Sequence, residues 1–332
     1  MIDFRYHLVS LIAVFLAVAL GIVIGTTQLN QPILEDIRNQ VSALEQDKRE
    51  LENTTQQLQA ELDDAGSFAE AVAPALVEGT LAGQGVVLLT TGDDVPTETV
   101  DEVTALLEEA GAEVTGQVTL QPEYSDPATA SQLQSYVTGP GLPTGVTLPE
   151  TDDTGQLVAA LLAQTLMVPA SGGAAAPDDA APGSTPAGPA APDTAALSSV
   201  LAGLSALDVL TQESASVTPA DHAVLLTAGA PEGDDAADRS DALVDLVSAL
   251  DAAGSGAVVA GDGATAGETG VIGVIRADPS LSAAVSTVDN VGSATGRVST
   301  VLALGQESEG TSGKYGTGED TQPVPPVPAA AP

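Results

Sequence analysis

VVLLTT, residues 86–91, is apolar at every position but its last two and opens with a pair of β-branched valines. A short run that is apolar on both alternating faces fits a strand covered on both sides, as in a parallel sheet. Next, Thr97 to Ala110 sets Val100, Val103, Leu106 and Leu107 on one helical face and stops at Gly111. Glu113 to Leu120 then reads as a second strand, which completes a βαβ unit. The same pattern returns later, with Ala223 to Thr227 as a strand, Ser240 to Ala253 as a helix stopped by Gly254, and Ala257 to Ala260 as a strand. VLLTTG (87–92) parallels VLLTAG (224–229), and EEAG (108–111) parallels DAAG (251–254). The expected fold class is therefore α/β: a Rossmann-like, mostly parallel sheet built from two related halves, 67–170 and 195–306. Further strands are expected near Val271–Ile275 and Val285–Asp289, and a helix near Gly296–Leu304.

Two stretches lack the residues to build a core. The Ala/Pro/Gly-rich segment at 171–194 reads as a disordered insert between the halves. Residues 307–332 read as a Pro-rich disordered tail ending in GEDTQPVPPVPAAAP, either a solvated end or a ligand for a proline-binding partner.

The N-terminus is apolar instead of mixed. No charged residue occurs from Leu8 to Asn30, and about 20 apolar residues span a bilayer as a helix. Ala17-Val18-Ala19 offers a small-residue cleavage site, but the apolar run continues past it as Leu20, Gly21, Ile22, Val23 and Ile24. Residues 1–30 are read as a retained transmembrane anchor, with 8–28 in contact with lipid. Arg5 and the terminal amine flank one side, while Glu35 and Asp36 come first on the other. That bias places the N-terminus in the cytoplasm and the body outside, as a single-pass cell-membrane protein.

A heptad pattern follows over 31–66, with Pro32 placed to enter a first helical turn. Leu34, Val41 and Leu62 fall at a, Ile37, Leu44, Leu51 and Leu58 at d, and Lys48 at a polar a position. The segment is read as a coiled-coil helix whose a and d residues form a partner interface. In a parallel pair of identical chains Asp47 would face Glu52, so a different protein with basic flanks is the favoured partner, and self-association stays open. The alternative is one amphipathic helix folded back on its own domain.

Composition excludes several functions. The chain has 46 acidic and 8 basic residues, a net charge of −38. Such a surface repels phosphate backbones, so no nucleic-acid partner is expected, and high-salt adaptation or solubility accounts for the excess. Without cysteine there is no disulfide and no thiolate chemistry. Aromatics at 2% argue against a membrane barrel with aromatic girdles. His7 lies at the membrane edge and His222 just before a strand, where it reads as a surface residue, so no nucleophilic triad is supported and no enzyme is expected. At the carboxyl ends of the strands, Asp93, Asp94, Asp262 and Asp289 are candidate ligands for a hard cation or another ligand. Acids in these places also cap helices and turns. GDGATAG (261–267) misses the dinucleotide spacing by one residue and is a weak nucleotide signal.

The opening MIDFRYHLVSLIAVFLAVALGIVIGTTQLN, the heptads after it, STVDN (286–290), GRVSTVLAL (296–304) and GKYG (313–316) resemble the actinobacterial MctB family, whose members carry the name copper transporter. The same stretches resemble the cell-separation protein SteB, which is paired with the membrane protein SteA. The first resemblance implies copper homeostasis or efflux across the envelope, as a transporter or channel. The second implies a scaffold whose coil recruits a SteA-like membrane protein. No cofactor is read from the residues, and copper enters through the resemblance alone. Cu(I) prefers Cys and Met and Cu(II) prefers imidazole, whereas this chain offers only Met1, Met167 and two histidines.

Overall fold

The computed structural model describes residues 4–139, 142–143, 146–170 and 193–327, with the backbone alone at 4–5, 26–35 and 93. It forms two compact units, Met1–Ala65 and Gly66–Pro332. The first is helical wherever it is described and is part of α1 (Phe4–Val77). The backbone stays helical through Pro32, so no second helix begins there. Proline fixes a helix-compatible φ but lacks the amide hydrogen and crowds the carbonyl one turn back, an interior penalty of about 3 kcal/mol; the helix-forming runs on both sides carry the backbone across it. Within α1, Tyr6–Gly25 has a mean hydropathy of 2.9 with none of it buried, and its length and composition suffice to cross a bilayer. Farther along, Ile37, Val41, Leu44, Leu51, Leu58 and Leu62 are all exposed. Leu34 falls where side chains lie outside the described residues. Lys48 pairs with Glu52 at 3.4 Å and Arg49 with Glu45 at 3.6 Å, each one helical turn away.

The second unit is built on one seven-stranded sheet: β1 (Gly85–Thr91), β2 (Glu113–Leu120), β3 (Leu210–Gln212), β4 (His222–Thr227), β5 (Ala257–Gly261), β6 (Ser286–Val288) and β7 (Lys314–Tyr315). The order is β3-β2-β1-β4-β5-β6-β7, parallel throughout except where β3 meets β2. Alternate side chains of the central strands feed two separate cores. Val86 and Leu88 of β1, Val224 and Leu226 of β4, and Val258 and Ala260 of β5 pack with the end of α1, α2 (Thr97–Glu109) and α9 (Ala294–Ser308). Val87, Leu89, Leu225 and Val259 point the other way. They pack with α3 (Ala130–Val137), α4 (Thr154–Leu166), α5 (Thr194–Ser205), α6 (Ala236–Ala253) and α7 (Val271–Ala277). Burial on both faces is why these strands read as continuous apolar runs.

The helix stops have distinct causes. Gly111 sits at φ +87°, the left-handed conformation that ends α2. Gly254 is extended; a Cβ there would run into Met167 Cε and come within 2.8 Å of the Asp221 carbonyl, so this stop is set by close packing. At the starts, the side chains of Asp153, Asp193 and Ser293 accept backbone N–H bonds at the first turns of α4, α5 and α9.

Two expectations change. Val271–Ile275, expected as a strand, lies in α7, because Val271, Ile272 and Ile275 bury at helical spacing against the sheet and tertiary packing overrides their β propensity. The expected tail is ordered well past 307: α9 runs to Ser308, Lys314–Tyr315 forms the edge strand β7 followed by α-helix-free turns, Gln322 bonds back to Lys314 and Gly316, and Pro325 is buried. Of the expected insert, 171–192 lie outside the described residues, and α5 begins at Thr194. Between α7 and β6 the short α8 (Pro279–Ala284) is capped by Asp278.

Candidate functional site

The winding of the sheet reverses between β1 and β4, since β1 leads to β2 on one side and β4 to β5 on the other. Crevices in such sheets open at the carboxyl ends of the strands that flank the reversal. A hollow of about 300 Å³ lies there, bounded by Thr91, Tyr124, Thr227, Gly229, Glu232 and Arg239 among others. Thr91 donates to the Thr227 hydroxyl at 3.1 Å, and the Thr90 and Thr119 hydroxyls pair at 2.9 Å. Arg239 donates to Asp126 at 2.9 Å, so the one cation of this hollow already faces a carboxylate. The Ala128 N–H, opposed by desolvation and helped by the Arg239 charge, holds the Asp126 carboxyl below its ordinary range.

The four candidate acids have separate surroundings. Asp94 is exposed at the rim of the hollow. The side chain of Asp93 lies outside the described residues. Asp262 accepts from Gly229 N–H at 3.1 Å and from the N–H groups of Ala264 and Thr265, each at 3.1 Å, and so ties the β4 loop to the turn after β5. Asp289 is buried, receiving Arg276 at 2.6 Å and the N–H groups of Thr317 at 2.7 Å and Gly318 at 3.0 Å. Desolvation pushes the Asp289 carboxyl up, and the Arg276 bond with the two N–H bonds outweighs it, leaving the carboxyl below its usual range. Among the described residues no three His, Asp or Glu gather to hold a metal ion, so Asp94, Asp262 and Asp289 do not meet as a cation site. Asp262 and Asp289 follow neighbouring strands but bind backbone donors on opposite sides, Asp262 in the loop after β4 and Asp289 in the loop after β7.

His222 corrects the surface reading: it is 1% exposed, because it opens β4 and lies opposite Val86 of β1. Its Nδ1 has no hydrogen-bond partner, and desolvation lowers its pKa. Met167 is buried against Gly254, His7 is exposed on α1, and Met1 lies outside the described residues. In the second unit the donors that copper prefers are two, Met167 and His222, both buried.

Sequence reasoning did not anticipate the cations of the second unit. Besides Arg239, Arg276 holds Asp289, Arg297 reaches Glu102 at 3.1 Å and Glu70 at 3.4 Å, and the Lys314 ammonium donates to the Arg276 carbonyl at 3.1 Å. Their rarity in so acidic a chain was the available signal.

The sequence model of the family described as "Copper transport outer membrane protein, MctB" matches residues 1–326. The chain belongs to the MctB family. Two proteins named Copper transporter MctB align along nearly its whole length. That of Mycobacterium tuberculosis is 30% identical over 326 residues, 98% of this chain and 99% of the relative. That of Mycobacterium leprae is 31% identical over 320 residues, 96% and 97% of the two chains. Of the stretches of this MctB-family chain that carry the resemblance, the three in the second unit lie together: STVDN supplies β6 and Asp289, GKYG supplies β7 beside it, and GRVSTVLAL supplies α9 with Arg297. Their visible task is to hold β6, β7 and the end of α1 on the sheet.

Proposed function

We propose that this MctB-family protein is a single-pass, membrane-anchored envelope protein that acts as a scaffold. Its apolar N-terminal helix holds it in the cell membrane, N-terminus in the cytoplasm and body outside, and its heptad stripe recruits a membrane partner, SteA-like by resemblance, in envelope remodelling or cell separation. The reading assigns it no catalytic step. The observation that carries it is the row of apolar side chains on α1, from Ile37 through Leu62, left exposed at heptad spacing. Single exposed leucines are ordinary on a surface, but apolar residues repeated at heptad spacing mark an interaction face. Lys48 meets Glu52 on its own helix, which eases the repulsion between Asp47 and Glu52 expected in a pair of identical chains, so both kinds of partner remain within the proposal.

The sheet is read as two related Rossmann-like halves. Supporting this, VLLTTG and VLLTAG occupy the adjacent parallel strands β1 and β4. Their matching residues Val87 and Val224 face opposite cores, and so do the helices that follow, α2 and α6. This is the arrangement that a duplicated βαβ unit turned about an axis parallel to the strands would give.

A second reading, copper homeostasis or efflux, is favoured by the family's description and by its relatives' names. With two methionines, two histidines and no cysteine in each chain, copper ligands would come from an assembly of chains. Copper titration of the full-length protein in lipid nanodiscs separates the two readings when run beside capture from native membranes. Tight stoichiometric copper binding by the protein alone supports the second reading. Capture of a membrane partner, lost when Leu44 and Leu51 are changed to Asn, supports the first.

A further inference from the structure

A second hollow, of about 360 Å³, adjoins the first and shares Tyr124 and Ser125 with it. Its wall divides by chemistry. Leu133, Val158 and Ala242 give an apolar side, while Asp153, Asp238, Asp241 and Asp245 set four carboxylates around the space. A fifth acid, Asp126, is neutralised by Arg239. Among the described residues none of the other four has an ion-pair partner. Asp153 uses one oxygen to cap α4 through the Gln156 N–H. Desolvation, then the charges of Asp153 and Asp241, push the Asp245 carboxyl up to about 6, so the hollow lacks positive charge. Tyr124 supplies an independent observation. It lines the hollow at 5% exposure, its hydroxyl has no hydrogen-bond partner, and burial together with the Asp245 charge raises its pKa. Buried polar groups ordinarily have partners, so an orphan at the wall of a hollow marks a place for a ligand atom.

We propose that this hollow binds a small organic ammonium ion, with its methylenes against Leu133 and Val158, its nitrogen donating to Asp245 and to the Tyr124 hydroxyl oxygen, and the carboxylates of Asp153, Asp238 and Asp241 around the space supplying the attracting charge. An ammonium is all donors, and these groups supply acceptors. A bare metal ion fits less well, because no three acids converge on one point among the described residues. The volume lies within the range of small-ligand sites. Neutral and anionic ligands would leave the four carboxylates uncompensated.

The test is calorimetric titration of the full-length protein in detergent at pH 8 and fixed ionic strength, with 1,5-diaminopentane, 1,5-pentanediol and magnesium chloride as probes. One saturable site for the diamine and none for the diol is expected. Asp245→Asn weakens it by about tenfold and Tyr124→Phe by about threefold, each with an unchanged circular-dichroism spectrum. Glu61→Gln, an acid of the first unit, leaves it unchanged. Binding that never saturates, that magnesium displaces equally well at matched ionic strength, or that survives Asp245→Asn at full affinity overturns the proposal and assigns the signal to the general acidity of the chain. Asp245→Asn relieves repulsion among like charges, so its effect is not a folding defect.

Discussion

Asp289 and Arg276 form the most enclosed ion pair among the described residues, 2.6 Å apart with side chains 1% and 11% exposed. Removing the carboxylate strands a guanidinium and frees the N–H groups of Thr317 and Gly318. Asp289→Ala is expected to lower unfolding stability by about 3–5 kcal/mol, measured by urea titration, and a loss below about 1 kcal/mol contradicts this role. Near the opposite ends of the strands, Glu307 accepts from Ser286 N–H at 2.7 Å and Asp251 from Ala257 N–H at 3.1 Å. Desolvation pushes Glu307 up to about 7 and Asp251 up to about 6. Both acids hold protons more tightly when folded than unfolded, so their own contribution to stability is greatest below the unfolded values and falls as pH rises toward 7. Glu307→Gln is therefore expected to flatten the drop in urea midpoint between pH 5 and pH 8, and an unchanged drop refutes the assignment. Asp289 could be singled out from sequence as an acid at a strand end. Its role could not, because Arg276 and Thr317 reach it only through the fold.

At the scale of elements, the second unit's segment of α1 is fastened to α2 and α9 by Arg297, which is 8% exposed and reaches Glu102, Glu70 and the Gly292 carbonyl. A double-mutant cycle pairing Arg297→Ala with Glu102→Ala is expected to give a coupling of about 1 kcal/mol, larger than the coupling with Glu70, whose side chain is 61% exposed. Equal couplings would show that the two contacts act alike. The elements most legible in sequence were those with one period and one stop: β1, α2, β2, β4, α6 and β5 fall within a few residues of their expected places. Val271–Ile275 misled because five apolar, β-branched-rich residues suit a strand and a buried helical turn equally. Helix α4 is buried nearly all round and so shows little period, whereas α5 sets Leu197, Val200, Leu201 and Leu204 at helical spacing, a signal that the adjoining Ala/Pro/Gly-rich segment obscured. Strands β3 and β7, of three and two residues, are too short to carry a pattern.

For the whole molecule, charge is the dominant fact. A net charge of −38 repels itself, and shortening the Debye length from about 10 Å at 0.1 M salt to about 3 Å at 1 M weakens that repulsion. The thermal midpoint of the full-length protein is expected to rise over that range, and a midpoint that falls contradicts a structure limited by its own acidity. The cations of the second unit all serve contacts within the fold, which leaves its surface acidic and gives the apolar row on α1 the clearest claim as an interaction face. That claim is tested most directly by cysteine crosslinking in native membranes, since the chain has no cysteine of its own. A single cysteine at Leu44, on the apolar row, is compared with one at Gln46, off it. The account predicts a crosslinked adduct with a second chain at position 44 and none at 46. Equal, unhindered thiol labelling at both positions with no adduct at either would show that the row meets nothing, and would contradict it.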